Sequence, residues 1–125
     1  MSYRILWEEN GVKVVAEGVL DNDFLNTSIE ATTDPLFTNA RYAIVDFLKI
    51  DEFPVHTSTI QEIARSDSLA YKVNPDLKLA ILTNKLIMTG LVNVYRSYLK
   101  LHNQDRSWDI KIFDNEAEAR EWINE

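Results

Sequence analysis

The sequence predicts an α/β sandwich: a mixed, mostly parallel five-stranded sheet carrying four helices, in the order β-β-α-β-α-β-α-β-α. Three observations lead there. β-prone apolar runs alternate with helical patterns, which calls for right-handed crossovers between parallel strands. Asn10-Gly11 separates the first two runs, a strong signal for an antiparallel hairpin because both residue types tolerate φ > 0. The runs 42–47 and 77–82 are apolar but for Asp46 and Lys78, as in strands buried on both faces.

The first two strands are expected over 3–9 and 12–20. Asp21-Asn22-Asp23 offers N-caps for a helix over about 22–33, with Leu25, Ile29 and Leu36 at helical spacings. Asp34-Pro35 then starts a separate short turn, since proline is awkward inside a helix. After the central strand, Thr57-Ser58-Thr59 with Gln61 and Glu62 has capping-box spacing, so these hydroxyls are expected to cap the second helix. Ile60, Ile63, Ala64 and Tyr71 carry that helix to about Val73, where Asn74-Pro75-Asp76 stops it. Thr83-Asn84 should cap the third helix, whose inward stripe is read as Ile87, Leu91, Val94, Tyr95, Tyr98 and Leu101. A half-exposed strand follows over 108–113. Asp114 or Asn115 caps the last helix, with Glu116 and Glu118 complementing its positive end.

A chain of 125 residues with 46% hydrophobic content fits one domain, expected over 1–125. Three Gly and three Pro are too few for low-complexity disorder. No apolar run reaches the roughly 18 residues of a membrane span. MSYRILWEEN lacks the cationic-then-apolar pattern of a secretory leader, and the absence of cysteine suits a reducing compartment, so a cytoplasmic location is expected. A net charge of −7 argues against nucleic acid as a partner.

Several local patterns resemble the STAS and SpoIIAA-like domains, the group that contains bacterial anti-sigma-factor antagonists. Gly18-Val19-Leu20-Asp21 is similar to the Gly-x-Leu-Asp closing their second strand. Ala43-Ile44-Val45-Asp46-Phe47 resembles their central strand, and 113–123 the ending of the SpoIIAA-like branch, Phe and an acidic turn before Ala and Trp122-Ile123. The resemblance spans roughly 3–123. It implies a non-enzymatic regulatory domain that binds another protein, a second copy of the chain included. The related lipid-carrying CRAL-TRIO fold implies an alternative: a carrier or sensor of a small apolar or amphipathic ligand, held between the sheet and the third helix. Anti-sigma antagonists carry Asp-Ser-x-Gly after the central strand. Here 51–59 reads DEFPVHTST, so capping rather than a phosphoswitch is expected of the hydroxyls.

In open α/β sheets, ligands bind outside the carboxyl ends of the strands. That nominates Asp46, Phe53, His56, Thr57 and Ser58, with Asn84 and Lys85 after the next strand. Phe53 and Pro54 are the expected partner contacts. His56, Ser58 and Asp46 lack the Gly-x-Ser-x-Gly elbow of a hydrolase, so no catalytic residue is expected. His56 and His102, without an i, i+4 pair or any cysteine, predict no metal and no cofactor. Lys78, Lys85, Arg96 and Lys100 lie in an acid-free stretch from 77 to 104, which reads as an anion surface or as dipole complementation. Tyr95 and Tyr98, with Met88 and Leu91, read as core or as a pocket wall. Gly90 suggests a close backbone approach.

Overall fold

The computed structural model describes residues 3–125; Met1 and Ser2 lie outside the described residues. Strands β1 (Tyr3–Trp7) and β2 (Gly11–Val19) form the hairpin, followed by helix α1 (Phe24–Thr33) and a 3-10 turn, Pro35–Asn39. Then come β3 (Tyr42–Glu52), α2 (Thr57–Val73), β4 (Lys78–Leu82), α3 (Leu86–His102), β5 (Asp109–Phe113) and α4 (Glu116–Ile123). The sheet order is β1-β2-β3-β4-β5, with β1 antiparallel to β2 and every later pair parallel. Each crossover advances one strand in the same direction, so right-handedness puts all three crossover helices on one face. α4 packs on the opposite face, against β4 and β5.

Strand alternation divides the sheet between two cores. On β3, Ala43 and Phe47 point into the main core under α1, α2 and α3. Ile44, from the same strand, joins Ala80, Leu82, Ala119 and Trp122 in a smaller core under α4. Lys78 and Lys111 lie 5.2 and 5.5 Å from the Trp122 ring, and the Lys78 ammonium donates to the Trp122 carbonyl at 2.9 Å. α4 is tied down by charge as well: Arg120 spans Glu8 (2.6 Å) and Glu116 (2.9 Å), and Lys13 reaches Glu116 at 2.7 Å. The Arg120 bond holds the Glu8 carboxyl down at about 2.

The structure corrects several local expectations. The hairpin forms, but Asn10-Gly11 does not supply left-handed backbone; among the described residues only Gly18, Gln104 and Asp105 have positive φ. Gly11 is needed for space: a Cβ there would sit 2.6 Å from the Tyr42 carbonyl oxygen. β3 runs to Glu52 rather than Phe47, because β2 continues pairing with it through two register shifts. On α1 the buried positions are Phe24 and Ala31 while Ile29 is exposed, as is Leu36 in the 3-10 turn that follows. The inward stripe of α3 is Met88, Val92, Tyr95 and Leu99; Ile87, Val94 and Leu101 face outward. Gly90 approaches nothing, since a Cβ there would have no neighbour within 4 Å.

Helix starts also differ. His56, not a hydroxyl residue, is the N-cap of α2, and no side chain caps that helix. Asn22 brackets the entry instead: its Oδ1 accepts from the His56 N–H (2.9 Å) and the Thr59 hydroxyl (2.7 Å). Lys85 is the N-cap of α3, its N–H donating to the Thr83 hydroxyl at 3.2 Å. Asn115 does cap α4, accepting from the Glu118 N–H, and Asp34 accepts from the Leu36 N–H in the 3-10 turn.

Candidate functional site

The sheet and the three helices on its main face do not close completely on each other. A cavity of about 110 Å3 remains between them. Its wall is apolar, built by inward residues of β2, β3 and β4 such as Val14, Val45 and Ile81, and by Ile63, Met88 and Val92 from the helices. Met88, Leu91 and Tyr95 therefore do line a pocket; Tyr98 instead accepts a hydrogen bond from Gln61 at 2.6 Å.

Among the described residues, one charged side chain faces this cavity. Asp67 lies on the inward face of α2, three residues after Ala64 and four after Ile63, and is only 6% exposed. The Tyr95 hydroxyl of α3 donates to Asp67 Oδ2 at 2.6 Å. The Ser28 hydroxyl of α1 donates to Oδ1 at 3.4 Å, a long contact. Among the described residues no Lys, Arg or His pairs with it. Burial without a counter-charge pushes the Asp67 carboxyl up to about 7, against the smaller opposing pull of the two hydroxyls. Burial also pushes the Tyr95 phenol well up, so that it stays a hydrogen-bond donor at neutral pH. The site is thus an apolar chamber with one carboxyl on its wall, held by two hydroxyls from neighbouring helices.

Asp67 is absent from the residues nominated by sequence. Its signal was present: an acid at i+7 from Ile60 and i+4 from Ile63 stands on the apolar stripe of its helix. Ser28 and Thr32 of α1 line the same cavity and carry no comparable pattern.

The nominated residues fall in three places. Asp46 is in the middle of β3, because that strand runs on to Glu52, and it points to the α4 face. There its Oδ1 accepts from the Leu48 N–H at 2.9 Å and its Oδ2 lies 3.9 Å from Lys13. Phe53 is partly buried against the main core, and His56, Thr57 and Ser58 are exposed where α2 begins. Asn84 and Lys85 precede α3, followed by Leu86, which is 90% exposed. These two helix starts share the carboxyl edge of the sheet, since β3 and β4 run parallel. Asp46 is not gathered with them.

Among the described residues, no three His, Asp or Glu side chains come together as a metal site requires. None of the described helices is long and apolar enough to cross a membrane. Compared with known proteins, the chain matches no family model, no curated protein and no solved structure.

Proposed function

We propose that this chain is a binding domain of the STAS/SpoIIAA-like kind, without catalytic activity, that holds a small amphipathic ligand between its sheet and helices. The observation carrying this is the apolar cavity with a single polar focus at Asp67, Tyr95 and Ser28. Ligand sites commonly have this form, an apolar wall with a few placed polar groups that fix orientation. The volume limits the ligand: an apolar protein cavity of about 150 Å3 accommodates benzene, so a body of that order or smaller fits here. The element order and the Gly18 to Asp21 stretch at the end of β2 support the family reading. Gly18 adopts a positive φ there, and Asp21 Oδ1 accepts from the Tyr3 hydroxyl at 2.7 Å.

Native mass spectrometry of protein purified from its own cells tests this. A small organic adduct, with saturable shifts of the Val14 and Ile81 methyl signals on titrating 1-butanol, is expected. A bare mass together with unmoved methyl signals contradicts the proposal.

Leu86 favours a second reading, protein binding at the carboxyl edge. A leucine standing in solvent beside Asn84, Lys85 and the half-exposed Ile87 is suited to a partner contact. Leu86→Ser should then abolish pull-down of a bound partner while leaving 1-butanol binding unchanged; retention of every partner argues against it.

A further inference from the structure

Asp67 is short of donors. An ionised carboxylate offers about four acceptor sites. Here one oxygen receives a good bond from Tyr95 and the other a long one from Ser28. The remaining neighbours give nothing: α1 contributes Thr32, whose hydroxyl donates to the Ser28 carbonyl at 3.0 Å, and the sheet contributes apolar side chains. From α3, Tyr95 is the only titratable group on the cavity wall, and among the described residues no cation faces Asp67 from any element packed against it. A buried charge left in this state is costly, and the cost falls sharply when an opposite charge with N–H donors arrives. Resting on the ligand-binding reading above, we infer that the cavity selects a small aliphatic primary amine, with its ammonium on Asp67 and its alkyl body against the apolar wall.

The alternatives fit less well. A carboxylate ligand would meet a like charge. A neutral alcohol could fill the wall and accept from Ser28 or donate to Asp67, but would bring no charge to compensate it. The ammonium supplies three donors, enough for the roughly two acceptor sites that the two hydroxyls leave open. Recognition should also depend on pH. Asp67 has its burial-raised midpoint at about 7, so the ionised form needed for the pair is fully present only above it. An alkylamine stays protonated to about pH 10, as a lysine side chain does. Affinity should therefore climb between pH 6 and 8.

The test compares n-butylamine, 1-butanol and butyrate by titration of the whole protein, followed through the methyl signals of Val14 and Ile81. At pH 8 the amine should bind about tenfold more tightly than the alcohol, the increment of one charge-assisted hydrogen bond, with butyrate weakest. Asp67→Asn should erase that preference while leaving the alcohol bound. The amide proton spectrum of that variant away from the cavity should match the parent's, which guards against misfolding. If the alcohol binds and the amine binds no better, the amine assignment is overturned and the cavity reading survives. If none of the three binds, both fail.

Discussion

Asn22 offers one carbonyl oxygen to two donors from the start of α2, and the hydroxyl residues beside that start contribute less than their type suggests. Ser58 lies inside the helix, exposed. Asn22→Ala should therefore cost about 1–2 kcal/mol, as losing a cap with a partly buried partner does, whereas Ser58→Ala should stay within about 0.5 kcal/mol. Urea unfolding of the two variants checks the order; equal losses would return the cap to Ser58. Glycine positions divide in the same way. Gly90→Ala should stabilise by about 1 kcal/mol, because an exposed helical glycine contributes only backbone entropy to the unfolded chain. Gly11→Ala should destabilise, since its methyl group would be pressed against the Tyr42 backbone. Denaturation midpoints moving in the same direction would contradict this contrast.

At the scale of elements, α4 is a lid on the second face, anchored by Trp122 and by the Arg120 and Lys13 ion pairs. Glu8 shows how the anchoring responds to acid. Its carboxyl is held at about 2, below the ordinary value of 4.5, so the folded state favours the ionised form. The contribution is present above about pH 4.5 and is lost as pH falls towards 2. Glu8→Gln should flatten the acid limb of the stability profile, measured by thermal melts from pH 2 to 6; an unchanged limb would show the pair contributes nothing. The order of elements was legible because strand and helix periods differ and the chain alternates cleanly between them. The phase of α3 was not. Two apolar rows run along it, 87-91-94-98-101 and 88-92-95-99, each at helical spacing, and only packing against the sheet decides which turns inward. The extension of β3 was hidden because Leu48, Lys49 and Asp51 mix apolar and charged types, while pairing with β2 sustains the strand. For the site, Tyr95, Met88 and Leu91 were legible only as core or pocket wall, and packing decided between the two. Asp67 needed attention to a single acid standing on the apolar stripe of its helix.

For the whole molecule, the fold carries an acid that it prefers to keep protonated. Folded Asp67 titrates at about 7 against an ordinary 3.8, so between these values the folded state binds more protons than the unfolded one. Stability from this group is thus greatest below about pH 4, declines as pH rises to 7, and is level above that. Asp67→Asn should remove the decline and be more stable than the parent at pH 8, by an amount on the order of a few kcal/mol. Calorimetric melts of both proteins from pH 4 to 8 check this, parallel profiles being the contrary result. Ligand binding and this cost concern the same carboxylate, because a cation that pairs with it relieves the burial penalty. The most direct measurement is a carbon-detected NMR titration of the Asp67 carboxyl in the free protein. A midpoint near 7 is predicted for an acid buried without a counter-charge; a midpoint near 4 would mean that water or an unseen cation reaches it, and would contradict the account.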